Sequence, residues 1–367
     1  MTLRRILITG GAGFIGANFV YFWQREYPDD RLLVLDALTY AGNLANLGSI
    51  KSRPVLRFVR GDIHDDALVT SLLREEQINT IVHFAAESHV DRSIHGPDAF
   101  VETNIVGTHS LLKAARKVWL EERRPQPHRF HHISTDEVYG SLGPDDPAFH
   151  EGTPYAPNSP YAASKAASDH LVRSYHHTYG LDCTISHCSN NYGPYHLPEK
   201  LIPLSIVNIL HGRPLPIYGD GRNVRDWLHV DDHCRGIALI LAHGAPGETY
   251  NIGGGTEVQN LTLVNLICDA VANAFRESPA LRSTYPQCPF SHGSHAKSLI
   301  TFVKDRPGHD RRYAIDCRKI ERDLGYKASV SLETGLQNTV LWYLRHTSWW
   351  QSVMDGSYQQ WLQIQYG

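Results

Sequence analysis

Seven residues, Gly10-Gly11-Ala12-Gly13-Phe14-Ile15-Gly16, constrain the fold of this chain more than any other stretch. They follow an apolar run, Leu3 to Thr9, that reads as a buried parallel strand, and they precede a helical pattern from about Ala17 to Arg25. Glycines at this spacing allow a tight strand-to-helix turn and let backbone N–H groups approach a pyrophosphate at the helix N-terminus. A glycine turn alone is weak evidence. Here the second strand, Leu32 to Leu35, ends in Asp36, 20 residues after Gly16. A carboxylate there can bind adenosine ribose hydroxyls and repel a 2′-phosphate. The plain alternative is a structural turn beside a surface aspartate; the two features together favour a dinucleotide, and NAD over NADP.

The strand–helix alternation continues. Val55 to Gly61 reads as a strand followed by Asp62-Ile63, a position suited to an adenine edge, and a helix is predicted from about Asp66 to Glu76. The strand Thr80 to Ala85 leads into Ala86-Glu87-Ser88-His89-Val90-Asp91, where small residues let a cofactor lie close to the backbone. A long helix from about Pro97 to Leu120 ends in a polar surface loop, Glu121 to His128. This order predicts an α/β fold with a doubly wound parallel (Rossmann) sheet. After the strand Asp182 to His187 the pattern turns irregular, punctuated by Pro203, Pro214, Pro216, Gly219 and Gly221, which marks a smaller mixed C-terminal lobe. Asp226 to Ala242 and Glu248 to Ile252 read as a strand-turn-helix and a strand returning to the first lobe. The expected division is therefore 1–189 with 226–253 for the dinucleotide, and 190–225 with 254–367 for the substrate. Residues Glu277 to Lys297, rich in Ser, Pro and His, read as a mobile loop, and the last helices carry Trp342, Trp349, Trp350 and Trp361.

Composition narrows the class of protein. A formal net charge of −3 over 367 residues argues against a nucleic-acid partner. The six cysteines (183, 188, 234, 268, 288, 317) form no C-x-x-C pair, which fits reduced thiols in the cytoplasm. The 22 histidines show no H-E-x-x-H spacing; most are expected to face solvent and no metal is assigned. Arg4-Arg5 before an apolar run resembles a leader peptide, but Gly10, Gly11, Gly13 and Gly16 break the run at once. No apolar span is long enough for a bilayer, so no membrane partner is expected.

The chemistry gathers downstream. A short strand ends at Ser134 in His131-His132-Ile133-Ser134-Thr135-Asp136-Glu137-Val138-Tyr139-Gly140. Ser159-Pro160 then reads as the N-cap and first residue of a helix on which Tyr161 and Lys165, four apart, share a face. They form the only Y-x-x-x-K among 18 tyrosines. For a phenol to act as base near neutrality its pKa has to fall by roughly 3 units, and a neighbouring lysine has the correct sign. A pure hydride-transfer enzyme does not need the further pair Asp136-Glu137. Elimination of water from a sugar does: one group removes a carbon-bound proton and another protonates the departing hydroxyl. On spacing alone, one of the two carboxylates capping a turn is the bland alternative. Arg225, Arg306, Arg311 and Arg312 suit a diphosphate, with surface ion pairs as the competing reading.

With these residues in place, the chain resembles the dTDP-glucose 4,6-dehydratases, within the extended short-chain dehydrogenase/reductases. The resemblance runs from about Ile6 to the C-terminus and rests on ITGGAGFIG (8–16), LDALTYAGN (35–43), HFAAESHVDRS (83–93), STDEVYG (134–140), YAASK (161–165), SNNYGPY (189–195), RDWLHVDDH (225–233), YNIGGG (250–255) and DRPGHDRRY (305–313). STDEVYG with DRPGHDRRY separates this group from sugar epimerases of similar fold.

The resemblance implies that Tyr161 takes the 4-hydroxyl proton as the C4 hydride passes to NAD. Glu137 then removes the C5 proton while Asp136 protonates the leaving C6 hydroxyl, and the hydride returns to C6. Thr135 would hydrogen-bond the 4-oxygen and Lys165 the nicotinamide ribose. Gly10, Gly13, Phe14, Ile15, Gly16, Asp36, Leu38, Thr39, Asp62, Ile63, Ala85, Ala86, Ser88, His89, Thr103 and Asn191 would line the cofactor. Ser88, Asn190, Lys200, Leu201, Pro216, Ile217, Tyr218, Arg225, Asn260, Arg306, His309 and Asp310 would surround the nucleotide-sugar, dTDP-glucose. It further implies deoxysugar (dTDP-rhamnose type) biosynthesis and a homodimer through the helices near 97–119 and 161–178. Ala37 stands where the pattern leads one to expect a lysine or similar. A nucleotide-sugar 4-epimerase, needing the Tyr–Lys pair but not the acid pair, and a non-catalytic NAD-sensing module remain the alternatives.

Overall fold

The computed structural model describes residues 3–48, 50, 55–122 and 127–354. Its first half alternates β1 (Arg5–Thr9), α1 (Phe14–Glu26), β2 (Arg31–Asp36), β3 (Leu56–Arg60), α2 (Asp66–Glu75) and β4 (Thr80–His83). The short helices α3 (Val90–His95) and α4 (Asp98–Phe100) follow, then α5 (Thr108–Ala115), which is continued at both ends by π-helical turns, Val101–Gly107 and Arg116–Glu121. β5 (Arg129–Thr135), α6 (Pro160–Tyr179) and β6 (Cys183–Cys188) complete this part. α1 begins at Phe14, earlier than the sequence pattern suggests, because the turn winds directly into it with Gly13 as N-cap.

The second half runs β7 (Asn190–Tyr192), α7 (Leu201–Leu210), β8 (Leu215–Tyr218), β9 (Val224–His229), α8 (Val230–His243), β10 (Thr249–Ile252), β11 (Glu257–Gln259), α9 (Asn260–Glu277), α10 (Leu281–Thr284), β12 (Ile300–Val303), α11 (Arg318–Leu324), α12 (Leu332–Arg345) and α13 (Thr347–Val353). Seven strands form one parallel sheet in the order β10-β6-β5-β4-β1-β2-β3. Near-continuous apolar strands such as Ile6-Leu7-Ile8 are what a sheet buried on both faces requires. α1 and α8 cover one face with Phe19, Val20, Trp23, Ile237 and Ile240; α2, α5 and α6 cover the other with Val69, Leu73, Leu111, Leu112 and Val172. The return to this sheet is made by α8 and β10, whereas Asp226–His229 lie in β9, centre of a three-stranded sheet ordered β11-β9-β7. β12 and β8 form a further parallel pair. α7, α9, α12 and α13 pack around these with Ile206, Leu263, Val271, Leu336 and Trp350.

Three expectations need correction or lie out of reach. The segment 277–297 is built, not a mobile loop: α9 reaches Glu277, α10 follows, and two 3₁₀ turns occupy Pro289–His292 and Ala296–Leu299. Its polar composition conceals three anchors, Tyr285, Cys288 and Ala296, that are 6%, 0% and 0% exposed in the core of α7, α9 and α12. Fifteen of the 22 histidines reach solvent at least in part, but seven do not. His83, His89, His131, His132, His187, His229 and His233 are buried. Several sit on β4, β5 and β6, where neighbouring hydroxyls satisfy them, as in His83 Nδ1 to Thr9 Oγ1 at 2.7 Å and His131 Nδ1 to Thr184 Oγ1 at 2.9 Å. Trp361 and residues 123–126 of the expected surface loop lie outside the described residues.

Candidate active site

The carboxyl ends of β1, β2, β4, β5 and β6 open on one edge of the sheet, where open α/β folds bind ligands. A cavity of about 440 Å³ runs along that edge and into the smaller lobe. At its first end the glycine turn is closed to side chains. Gly10 has φ +68°, and a Cβ there would stand 2.6 Å from the Ala85 amide nitrogen; one at Gly16 would stand 2.3 Å from the Gly10 carbonyl oxygen. Asp36 is 8% exposed, accepting from the Ala12 amide at 2.9 Å and the Leu38 amide at 2.8 Å. Burial pushes its carboxyl up from the ordinary value, opposed by those two amides. A small-residue turn against a helix start, with a fixed carboxylate beside it, fits a pyrophosphate and a ribose diol.

Gly10, Gly13, Phe14, Ile15, Gly16, Asp36, Thr39, Asp62, Ile63, Ala85, Ala86, Ser88, His89, Thr103 and Asn191 all line this cavity, and so does Ala37. Leu38 does not. Its backbone is left-handed, φ 55°, its side chain packs against the core under α1, and only its amide serves the site, through Asp36.

The centre of the cavity is held by β5 and α6. β5 ends at Thr135, and residues Asp136–Tyr139 make a 3₁₀ turn capped by the Thr135 hydroxyl, which accepts from the Glu137 amide at 3.3 Å. The cap is thus Thr135, which leaves both carboxylates available for other work. α6 starts as its sequence indicates: Ser159 Oγ accepts from the Ala162 amide and Pro160 occupies the first turn. Tyr161 and Lys165 face the same cavity as Thr135, Asp136 and Glu137, and are 9% and 4% exposed.

Burial, with the charges of Glu137 and Asp226 adding to it, drives the Asp136 carboxyl well above the usual carboxylate range. Burial also raises Glu137, against the pull of Arg306, Arg225 and Lys200. Lys165 is brought down to about 8 by burial. Tyr161 departs from expectation: burial, then Glu137 and Cys188, lift its phenol well above 10, and Thr135 opposes them. The sequence shows the lysine one turn away but not the carboxylates folded against the ring.

The far end is basic. Arg225 lies with its guanidinium 4.2 Å from the centre of the Tyr313 ring and donates to the Asp310 carbonyl at 2.9 Å. Arg306 pairs with Asp91 at 2.9 Å, and Lys200 donates to the Ser88 carbonyl at 3.2 Å. Asn190, Leu201, Pro216, Ile217, Tyr218, Asn260 and His309 complete this part of the lining. Asp310 is outside it. Its carboxylate is taken by Asn158 at 2.7 Å and by the Tyr313 hydroxyl, so it supports the wall through its carbonyl. Arg311 and Arg312 are also outside the cavity, spent on ion pairs with Asp220 at 2.8 Å and Glu257 at 2.6 Å. Buried acceptors without a partner remain in the lining: Asp136 Oδ2, Asn190 Oδ1 and Asn260 Oδ1. Such atoms are costly unless a ligand or water satisfies them.

Sequence reasoning missed Tyr40, Asp91, Cys188, His196, Glu199, Trp227 and Tyr313, all of which line the cavity. Three carried a usable signal. Asp91 sits inside the segment that supplies Ser88 and His89, Glu199 adjoins Lys200, and Tyr313 ends the arginine-rich run. Among the described residues no group of three His, Cys, Asp or Glu side chains is arranged to hold a metal ion, and no helix is long and apolar enough to cross a membrane.

Comparison with known proteins agrees with this geometry. The family described as GDP-mannose 4,6 dehydratase matches residues 7–339. A dTDP-glucose 4,6-dehydratase of Xanthomonas campestris pv. campestris (strain B100) is 55% identical over 355 residues, covering 96% of this chain and 97% of the relative. One of Salmonella typhimurium is 50% identical over 372 residues, covering 99% of each. The solved structure of DesIV, a dTDP-glucose 4,6-dehydratase from Streptomyces venezuelae with NAD bound, superposes with a TM-score of 0.84 at 50% identity, over 95% of this chain and 99% of that one.

Proposed function

The chain belongs to the GDP-mannose 4,6-dehydratase family, and we infer that within it the protein is a hydro-lyase converting dTDP-D-glucose to dTDP-4-dehydro-6-deoxy-D-glucose and water. The observation that carries the reading is the adjacency of Asp136 and Glu137 in one cavity with Tyr161, Lys165 and a dinucleotide-type glycine turn. NAD is the cofactor: Gly10, Gly13 and Gly16 give its pyrophosphate backbone contact, Asp36 takes the adenosine ribose and Lys165 the second ribose. Bound NAD supplies a hydride acceptor toward C4 and the donor of the same hydride toward C6. Arg225, Arg306 and Lys200 meet the diphosphate.

Tyr161 takes the O4 proton. A phenol pushed up by its surroundings does not keep a charge of its own, so it acts best by passing that proton on. The Thr135 hydroxyl, which draws the Tyr161 phenol down against the other groups around it, donates to Asp136 Oδ1 at 3.4 Å. Asp136, raised by burial, is suited to hold the proton and deliver it to the departing C6 hydroxyl. Glu137 removes the C5 proton, made acidic by the new ketone, and, after exchange with solvent, gives a proton back to C5 at the end. The proton balance closes: the O4 proton leaves in water, the C5 site loses and regains one, and every side chain ends as it began.

Six free cysteines support a reducing, cytoplasmic setting. Val101, Val106 and Tyr179, 47%, 44% and 43% exposed on the helices of 98–121 and 160–179, support a homodimer. The place in metabolism is deoxysugar biosynthesis. The test is product mass and label position: dTDP-glucose should lose one water, and deuterium placed at C4 should be recovered at C6. An unchanged mass would replace this reading with a 4-epimerase.

A further inference from the structure

The mechanism above uses Lys165 but leaves unexplained how its charge survives where it sits. Lys165 is 4% exposed, and its Nζ donates to the Ile133 carbonyl at 2.7 Å. A carbonyl cannot neutralise an ammonium, and a buried charge without a counter-charge costs several kcal/mol. The nearest groups behind it do not belong to the cavity lining. His132 Nε2 lies 3.3 Å from Lys165 Nζ and 3.3 Å from Asp169 Oδ1. Asp169, 1% exposed, has its other oxygen fixed by Ser134 Oγ at 2.8 Å, His187 Nε2 at 3.0 Å and Tyr155 Oη at 3.2 Å.

We propose that Asp169 is a positioning residue for Lys165: its buried carboxylate, set behind His132, is the counter-charge that keeps the Lys165 ammonium charged beside Tyr161. This rests on the dehydratase reading for the use of that charge, but not for its existence. The groups around Lys165 are His132 on β5, His83 on β4 (its ring 5.2 Å from that of His132), His187 and Cys188 on β6, and Tyr161 and Asp169 on α6 itself. Asp169 is the foremost charge favouring the protonated amine. His132, driven down to about 4 by burial and then by Lys165, is neutral near pH 7 rather than a second cation. Against burial, the neighbouring His132 and His187 hold the Asp169 carboxyl well below the usual carboxylate range. Three donors, Ser134, Tyr155 and His187, converge on one of its oxygens, and the other, Oδ1, has no hydrogen-bond partner.

The test reads the Lys165 charge directly, by ¹⁵N NMR of the ammonium in the purified protein, and separately the pH profile of C4 oxidation with dTDP-glucose. Asp169→Asn should lower the Lys165 pKa by about 1 unit or more, and move the alkaline limb of the profile to lower pH by the same amount. Asp169→Glu should recover most of the shift. His132→Gln, which like neutral His132 carries no charge, should leave the Lys165 pKa within about 0.5 unit of wild type. An unchanged Lys165 pKa in Asp169→Asn, whatever its thermal stability, overturns the proposal, as does an equal fall in His132→Gln. Should Asp169→Asn fail to fold, the double variant Asp169→Asn/Lys165→Met decides. With both charges gone it should fold; failure to fold overturns the counter-charge role. If wild-type enzyme removes no water from dTDP-glucose, the dehydratase reading falls alone, because the NMR titration still reports on Asp169.

Discussion

The Asp91 carboxylate reaches across 215 residues of sequence to hold the Arg306 guanidinium at 2.9 Å, while its second oxygen accepts the Tyr218 hydroxyl at 3.2 Å. Arg306 and Tyr218 both line the basic end of the cavity. One buried acid on α3 therefore orients two side chains from the smaller lobe. Asp91→Asn keeps the shape and one acceptor but removes the charge. The KM for dTDP-glucose should rise about tenfold, ~1.4 kcal/mol of binding, with kcat changed about twofold or less. Steady-state kinetics check it, and a fall in kcat at constant KM would assign Asp91 elsewhere.

A second long-range tie joins α13 to the cofactor end. Trp349 Nε1 donates to Asn46 Oδ1 at 2.7 Å, and Asn46 Nδ2 donates to the Ala12 carbonyl of the glycine turn at 2.8 Å. Trp349→Phe leaves a buried acceptor unpaired, at a cost of about 1–3 kcal/mol. Urea unfolding should show that loss.

What was legible in the sequence is what is local. Gly10 to Gly16, Asp36, Ser159-Pro160 and the Tyr161–Lys165 pair each announce themselves within a turn or a fixed offset, and the chain geometry does the rest. Asp136 and Glu137 were legible for the same reason. Asp91 with Arg306, and Asp169 with His132 and Lys165, were not, because those partners meet only once strands far apart in sequence are neighbours. Leu38 shows a different limit: an apolar residue within a cofactor motif serves by its amide while its side chain turns into the core. Asp310 likewise stays outside the cavity lining and serves it through the carbonyl that holds Arg225. The buried histidines misled because their hydroxyl partners, Thr9 and Thr184, lie on adjacent strands.

Those histidines have a pH consequence. Burial lowers His132 to about 4 and His233 to about 3, and both are 0% exposed. Unfolded, each takes a proton near pH 6.5; folded, each resists until its lowered pKa. The unfolded chain therefore binds more protons between these values, and stability falls as pH drops below about 6.5 toward 4 and then 3, by ~1.4 kcal/mol per pH unit per histidine. Above about 6.5 the two contribute no slope. His233→Gln, which can keep a contact to the Asn191 side chain that His233 now meets at 3.0 Å, should flatten the curve by one proton. Thermal melts from pH 4.5 to 7.5 check this.

Glu137→Gln separates binding from elimination. The amide retains the size of the side chain and cannot take a proton from C5. Cofactor should remain bound while dehydrated product falls by about 100-fold or more. In deuterated water, incorporation at C5 should fall in step, as followed by proton NMR. Product formed at the wild-type rate would remove Glu137 from the C5 step.

Thr135 is the member of the site whose chemistry depends most on where it stands. Its hydroxyl lines the same cavity as the Tyr161 phenol and donates to Asp136 Oδ1 at 3.4 Å, so it can carry the O4 proton to the group that expels water. Thr135→Ser preserves that path and Thr135→Val removes it. Without it, Asp136 must be protonated from solvent before each turnover. Elimination in Thr135→Val should therefore slow as pH rises through the raised Asp136 pKa, since a proton-loaded acid is lost in that direction. In wild type and Thr135→Ser the oxidation step reloads the acid, and the elimination rate should stay flat over the same range. Single-turnover measurements across pH, slower at the alkaline end for Thr135→Val alone, are the expected result. Equal profiles in all three proteins would mean that the proton reaches Asp136 by another route.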